Sequence, residues 1–323
     1  MTRPFRFGVT LLPLVPDRRT WADAVRAAEQ AGFSAVTLMD HFRSGGIWAA
    51  LVAAHEAAPS LRVGTLVLNN ELSHPLMLAR EAVTTDVLTD GSLELGIGAG
   101  WDLEDYRAVG RERAPGNVRI DRLGESVAIL RAACAGISPR HRGAHYVAEG
   151  PPSWPKPAQE RIPLLVGGGG KSVLELAGAH ADIVSISRNM QRGPAGSWRR
   201  SSVGPDGGPD RMDQRIHWVR TAAGERFADL ELQAIVGKAV VTKDRERAAL
   251  AVGEPLGLTA EEVLASPHFL VGTVEEMADD LERRRERWGI SYWTLSVGSV
   301  SGIAAVQSFG RVIARLNASR FPS

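Results

Sequence analysis

The stretch "IPLLVGGGGKSVLELAGAHADIVSIS", residues 162–187, decides the fold. An apolar run ends in four glycines, a helical segment starts at Lys171, and a second apolar run ends at Ser187. A strand, a helix and a strand in this order predict two parallel neighbouring strands. Glycines at a strand–helix junction leave backbone N–H groups accessible and let a phosphate approach without a Cβ clash. The stretch therefore predicts a phosphate-binding turn, although a plain tight turn with an exposed lysine has the same sequence.

The same alternation of short apolar runs and amphipathic segments extends along all 323 residues. Strands rich in Val, Ile and Leu with helices between them indicate a parallel sheet buried on both faces. Strands are predicted at residues 5–12, 33–40, 61–70, 92–100, 162–170, 181–187, 230–242 and 290–298. Eight such units predict an α/β fold, a (β/α)8 TIM barrel with insertion loops at its carboxyl-terminal face, in a single domain over residues 1–323. A doubly wound open sheet is the alternative.

Three local features are predicted within this pattern. Thr20 is expected to cap the first helix, and Gly32 to follow its end. Residues 135–161 are expected to hold a short hairpin and a Pro-rich crossing before the fifth strand. Residues 188–210, rich in Gly, Ser and Arg, form either a lid loop over the carboxyl-terminal face or a surface insertion.

Composition excludes several classes of protein. The net charge of +1 gives no basic excess for nucleic acid or a membrane surface. The single cysteine, Cys134, excludes an internal disulfide and is expected in the core. No apolar run reaches the ~18 residues of a membrane span, and the first residues lack a secretory signal pattern. The histidines show no HxH or HExxH spacing, so no metal site is expected. We expect a soluble cytoplasmic protein that acts on a small-molecule or peptide-derived substrate.

Candidate site residues follow the predicted strands, because the carboxyl ends of barrel strands carry the active site. Asp40 and His41 end the second strand, and histidine titrates in the range that suits proton transfer. A structural role for His41 is the alternative. The glycines of "GIGAGW", residues 96–101, indicate either a nearby flat ligand or close helix–strand packing.

Together these segments resemble the bacterial-luciferase-like superfamily of (β/α)8 flavin and deazaflavin enzymes. The resemblance spans about residues 5–295 and is strongest to the branch that uses coenzyme F420, a 5-deazaflavin. Its segments are "AEQAGFSAVTLMDHF", "RVGTLVLNN", "HPLMLAREAVTTDVLTDGSLELGIGAGW", "RIDRLGESVAILR", "IPLLVGGGGKSVLELAGAHADIV" and "GTVEEMADDLERRRERWGISY".

The resemblance implies roles for individual residues. His41, after Asp40, matches the histidine that faces the reactive ring. Leu66 and Val67 match a bulge that backs the ring, often with a non-proline cis peptide. The other cofactor-binding residues implied are Asn69, Gly98, Ala99, Gly100, Gly167, Gly168, Gly169, Gly170, Lys171, Ser187 and Arg188. Ser187 and the glycines would hold one phosphate from two strands. A homodimer is usual for the family.

The sequence departs from the sugar-phosphate dehydrogenases of that branch at one position. Those enzymes have an acidic glutamate after the fourth-strand glycines, where this chain has Trp101. Sugar-phosphate oxidation by that arrangement is therefore not expected. Trp48 and Trp101 are expected to form a flat substrate wall or to pack in the interior. Asp102, Glu104 and Tyr106 are candidate proton donors in place of the missing acid.

Three functions remain open at this point. The first is an F420-dependent oxidoreductase that moves hydride between the deazaflavin C5 and an activated C=C, C=N or carbonyl group. The second is a monooxygenase that uses reduced FMN, because one fold serves both chemistries. The third is a non-catalytic cofactor-binding barrel, which would show a degraded site.

Overall fold

The computed structural model describes residues 3–11, 17–42, 44–189, 205–297 and 302–318, and its main feature is a closed ring of parallel strands. The described strands are β1 (Arg6–Leu11), β2 (Ala35–Leu38), β3 (Arg62–Thr65), β4 (Leu68–Asn69), β5 (Leu93–Gly98), β6 (Arg140–Arg142), β7 (Val147–Glu149), β8 (Leu164–Gly168), β9 (Ile183–Ile186), β10 (Glu231–Val236), β11 (Lys238–Val241), β12 (Phe269–Gly272) and β13 (Tyr292–Val297). The ring runs β1-β2-β3-β5-β8-β9-β10-β13 and returns to β1. The (β/α)8 barrel is confirmed, and the open sheet is wrong.

Helices surround the ring and bury their apolar sides against it. They are α1 (Arg18–Gln30), α2 (Ile47–Ala57), α3 (Pro75–Leu88), α4 (Leu103–Ala108), α5 (Gly116–Cys134), α6 (Lys171–His180), α7 (Pro209–Ala223), α8 (Arg245–Gly253), α9 (Ala260–Ala265), α10 (Val274–Trp288) and α11 (Ile303–Ala318). None of the described helices is long and apolar enough to cross a membrane. Cys134 is 1% exposed, as expected of a core residue, and burial raises its pKa to about 12.

The start of α1 corrects the predicted cap. Asp17, not Thr20, is the N-cap residue, and its carboxylate accepts the Thr20 backbone N–H at 2.8 Å. The Thr20 hydroxyl also donates to Asp17, at 2.7 Å, so Thr20 stabilises the capping carboxylate although it lies inside the helix. The end of the helix is as predicted, because Gly32 follows it with a positive φ of 85°.

The predicted seventh strand is two strands. Residues of β10 pair within the barrel, whereas β11 leaves it after Gly237 and pairs in parallel with β12. The sequence did not predict the strand β12. The side chains of Ala249, Val263 and Phe269 form a small apolar cluster under this second sheet. The cluster fixes the strands beside the barrel mouth.

The insertion between α5 and β8 contains the predicted hairpin, because β6 and β7 pair antiparallel. The Glu125 carboxylate accepts the backbone N–H groups of Ala144 and Tyr146 at 2.8 and 2.9 Å, which attaches the hairpin turn to α5. Of the predicted lid or insertion at residues 188–210, residues 190–204 lie outside the described part of the chain.

Charged side chains close the amino-terminal end of the barrel. Arg6 contacts Glu94 at 2.5 Å and Glu231 at 2.6 Å, and Arg62 contacts Glu94 at 2.7 Å. All four residues lie at or next to the first residue of a ring strand. This floor network is therefore at the opposite end of the barrel from the strand ends that carry the candidate site.

His268 makes folding sensitive to acid. Its ring is 3% exposed, Nδ1 lies 3.1 Å from the Ile235 carbonyl oxygen, and burial lowers its pKa from 6.5 to about 3. Between these pH values the unfolded chain binds the extra proton, so stability falls by about 1.4 kcal/mol per pH unit as the pH drops.

We expect a His268→Gln variant to lose this part of the acid sensitivity. Urea unfolding of both proteins at pH values from 7 to 4 measures it, and the difference between the two curves isolates His268 from other titrating groups. Identical slopes for the two proteins would contradict the prediction.

Candidate active site

A cavity of about 380 Å³ opens at the carboxyl-terminal ends of the ring strands. Its lining combines polar groups, glycines and apolar side chains from the ends of β2, β5, β8 and β9. Predicted site residues in the lining are Asp40, His41, Leu66, Val67, Asn69, Gly98, Ala99, Gly100, Trp101, Gly167, Gly168, Gly169, Gly170, Ser187 and Arg188. The structure therefore brings together residues that lie up to 148 positions apart, from Asp40 to Arg188.

Two predicted residues are elsewhere. Lys171 does not line the cavity, because its side chain points along α6, with Nζ 3.7 Å from the Glu175 carboxylate one turn away. Trp48, on α2, packs against the barrel core. Trp48 therefore has the interior packing that was the alternative to a substrate wall, and Lys171 lies outside the cavity lining.

His41 forms a hydrogen bond with a carboxylate that the sequence did not predict. Its Nδ1 lies 2.7 Å from Oδ2 of Asp105, and the other oxygen of Asp105 accepts the Phe42 backbone N–H at 3.1 Å. An ionised carboxylate only accepts hydrogen bonds, so the proton of this bond belongs to Nδ1. Nε2 is then the nitrogen left to exchange a proton with a ligand.

Asp102 completes a small acidic group around the histidine. Its Oδ2 lies 4.0 Å from His41 Nδ1, and its Oδ1 accepts the Glu104 backbone N–H at the start of α4. His41, Asp102 and Asp105 place three potential metal ligands within 4.8 Å of one another, a cluster that sequence spacing did not predict. The 2.7 Å His41–Asp105 separation is that of a hydrogen bond, shorter than the ~3 Å between two ligands of one ion.

The other candidate proton donors are less well placed. Glu104 is exposed and does not line the cavity. Tyr106 is 1% exposed and also outside the lining, and burial raises its pKa to about 12. Only Asp102 of the three faces the cavity.

Asp40 connects two strand ends. Its Oδ2 accepts the Asn69 backbone N–H at 3.0 Å, which joins the end of β2 to β4. Burial, the largest cause, and the nearby Asp105 raise the pKa of the Asp40 carboxyl. Asp40 therefore has a structural contact as well as a position on the cavity wall.

Glycines on β5 and β8 make room for Val67. The Leu66–Val67 peptide is cis, as the resemblance implied, and it separates β3 from β4. A Cβ on Gly98 would lie 2.9 Å from Val67 Cγ2, and one on Gly167 would lie 3.0 Å from Val67 Cγ1. The glycine pattern thus serves close packing of this bulge, which itself lines the cavity.

The ends of β8 and β9 form the predicted turn. Ser187 N–H donates to the Gly168 carbonyl at 2.9 Å, so the two strand ends stay paired. Gly170 is the N-cap of α6; among the residues that the structure describes, no side chain caps this helix and no atom would lie within 4 Å of a Cβ on Gly170. Uncapped N–H groups at a helix start that faces a cavity are suited to a phosphate.

Arginines support this turn. Arg215 is 2% exposed, and it donates to the Gly169 carbonyl at 3.0 Å and to the Asp206 carboxylate at 2.6 Å. Arg188 lines the cavity beside the turn, and burial lowers its pKa. We call Gly168–Gly170 with Ser187 and Arg188 the phosphate turn. Its open space, uncapped helix and adjacent guanidinium fit a cofactor that carries a phosphate.

Fold and cavity define a (β/α)8-barrel protein with a candidate ligand site at the carboxyl-terminal face. The chain belongs to the luciferase-like monooxygenase family, whose sequence profile matches residues 3–195. An F420-dependent glucose-6-phosphate dehydrogenase of Amycolatopsis mediterranei is 27% identical over 281 residues, which cover 82% of this chain and 78% of that enzyme.

Solved structures share the fold. The F420-dependent tetrahydromethanopterin reductase of Methanopyrus kandleri superimposes with a TM-score of 0.73 at 16% identity, covering 97% of this chain and all of that one. A monooxygenase of Streptomyces bottropensis gives 0.72 at 18% identity, with coverage of 97% and 100%. Similarity at this level shows the fold, and the two enzymes differ in chemistry.

Proposed function

We propose that this protein is a coenzyme F420-dependent oxidoreductase. It would transfer hydride between the cofactor and an activated C=C, C=N or carbonyl group of a small molecule. The observation that carries the proposal is the His41–Asp105 hydrogen bond in a cavity that also contains the phosphate turn and the Leu66–Val67 bulge. The F420-dependent relative from Amycolatopsis supports the choice of cofactor.

Each part of the cavity has a task in this proposal. When bound, the deazaflavin supplies two-electron hydride chemistry. The phosphate turn binds the cofactor phosphate, and Val67 lies where it can back the ring. His41 Nε2 would give a proton to a substrate that is being reduced, or remove one from a substrate that is being oxidised. Asp105 would keep Nδ1 protonated and stabilise the imidazolium.

The substrate need not be the one of the named relative. Trp101 stands in the cavity wall with its ring centroid 5.7 Å from that of His41, at an interplanar angle of 84°. An indole cannot protonate or deprotonate a sugar near neutral pH. This supports a substrate other than glucose 6-phosphate.

The second candidate function is an FMN-dependent monooxygenase. The description of the family and the Streptomyces bottropensis enzyme favour it. The intact His41–Asp105 pair and phosphate turn are compatible with either cofactor, whereas they count against a barrel without catalytic activity.

Parallel titrations of the purified protein with F420 and with FMN, followed by fluorescence quenching, test the proposal. We expect saturable binding of F420 at least tenfold tighter than that of FMN. Preferential binding of FMN, with O2 consumption in the presence of reduced FMN, would replace the proposal by monooxygenation. Binding of neither cofactor would reject both enzyme assignments.

A further inference from the structure

Among the residues that the structure describes, two arginines in the cavity wall have no carboxylate partner. Arg113 donates from Nη1 to the Trp101 carbonyl at 2.8 Å. Arg119 donates from Nε to the Ala114 carbonyl at 3.0 Å and from Nη1 to the carbonyls of Ala99, at 3.0 Å, and Gly100. In the described parts of the chain, neither guanidinium forms an ion pair. Both line the same cavity as His41.

Three other buried or half-buried arginines each contact a carboxylate. Arg215 contacts Asp206 at 2.6 Å, Arg284 contacts Asp280 at 2.7 Å, and Arg122 contacts Glu71 at 2.7 Å. Arg119 is also half-buried but, like Arg226, has only backbone carbonyls as partners in the described residues, whereas Arg113 is exposed. Burial, the largest cause, and the like charge of Arg113 lower the pKa of Arg119, although Tyr106 and Glu71 act in the opposite direction.

The two arginines are apart from the phosphate turn. Arg119 holds carbonyls that follow β5, whereas Arg188 follows β9, and β8 lies between these strands. Neighbouring strands are ~4.8 Å apart, so the ends of β5 and β9 are about 10 Å apart along the rim. A phosphate bound at the turn would leave the charge of Arg113 and Arg119 without an anion.

We propose that Arg113 and Arg119 form a second anion site, which binds the carboxylate of the substrate. A guanidinium is suited to this because its fork of N–H donors matches a carboxylate. The cavity wall includes the apolar side chains of Trp101, whose carbonyl accepts from Arg113, and of Ile120, which follows Arg119 in the sequence. The substrate class is then a small, largely apolar carboxylic acid whose reducible bond lies near the acid group. This assignment rests on the proposed function and specifies its substrate.

The second source of carboxylates is the acidic tail of the cofactor. Both sources present the same group to Arg113 and Arg119, so the experiment has one arm for each. The comparison ligand is a deazaflavin that ends before the phosphate and therefore lacks the acidic tail. The substrate arm uses cinnamate and its neutral amide, cinnamamide, as a matched pair of probes.

Calorimetric titration with cinnamate and cinnamamide is made on cofactor-free protein and on protein saturated with F420. We expect cinnamate to bind at least tenfold more tightly than cinnamamide, and Arg113→Gln to remove this preference. Arg107→Gln is the control, because Arg107 is exposed on α4 and outside the cavity lining. Arg119→Lys, which keeps the charge, is expected to retain part of the preference. Circular dichroism checks that each variant is folded.

Equal affinity for the two probes, no binding of cinnamate, or an unchanged preference in Arg113→Gln would overturn the proposal. A weaker affinity of Arg113→Gln for F420, with unchanged affinity for the tail-less deazaflavin and for cinnamate, would assign the site to the cofactor tail instead. The cofactor-free titration separates this result from failure of the proposed function, because it reports on carboxylate binding even when F420 does not bind.

Discussion

Replacing Asp105 by asparagine is expected to lower turnover by about 10²–10⁴-fold, the range that general acid–base catalysis contributes. The amide group of asparagine can donate to Nδ1 of His41, which would place the ring proton on Nε2 and present the wrong tautomer to the substrate. His41→Ala is expected to have a comparable effect, because both variants remove the same proton transfer.

The measurement is turnover with F420 together with the cofactor affinity and the ¹⁵N NMR signals of the His41 ring. Affinity is expected to stay within about threefold of the wild-type value, so that the loss is in the chemical step. The NMR signals are expected to change from an Nδ1-protonated to an Nε2-protonated ring. Glu104→Gln, on the same helix but exposed and outside the cavity, is the control. Full turnover of either Asp105→Asn or His41→Ala would remove the pair from the mechanism.

Gly170→Val is expected to weaken cofactor binding by about 100-fold, or roughly 2.7 kcal/mol. A Cβ at this position meets no atom of the described residues within 4 Å, and the backbone, with φ of −89° and ψ of 157°, accepts any residue. The side chain would therefore occupy only the space in which the phosphate should lie.

Gly46→Val is the matched control for this variant. Gly46 is also the N-cap of a helix, has open space around its Cβ position and does not line the cavity. Titration of both variants with F420, with thermal unfolding to confirm the fold, distinguishes loss of the phosphate site from a general effect of valine. Wild-type affinity in Gly170→Val would show that no phosphate binds at the turn.

The sequence predicted the barrel because its signals are local. Each ring strand is a short apolar run bounded by a helix, and parallel pairing follows from this order alone. The seventh strand was predicted too long because "LELQAIVGKAVVT" has apolar residues along its whole length, and only pairing with β12 separates its second half from the barrel. Thr20 and Asp17 are both good capping residues, and sequence preference does not decide between them.

The candidate site was predicted where it depends on strand ends and missed where it depends on tertiary contact. Gly98, Gly100, Gly167–Gly170, His41 and Ser187 all lie at the carboxyl ends of predicted strands, and all line the cavity. Asp105 follows no strand. It lies on the six-residue helix α4 and meets His41 across 64 positions, so no spacing rule indicates it. Lys171 illustrates the opposite error, because adjacency to the glycines does not fix the direction of a helical side chain.

The floor network has a consequence for how this protein can change over evolutionary time. Arg6, Arg62, Glu94 and Glu231 join β1, β3, β5 and β10 at the end of the barrel remote from the cavity. Mutations in the loops at the mouth leave these contacts untouched. Residues such as Trp101 and Arg113 are then free to drift toward new substrates while the scaffold keeps its tolerance for mutation. One barrel scaffold can in this way hold cavities of different chemistry.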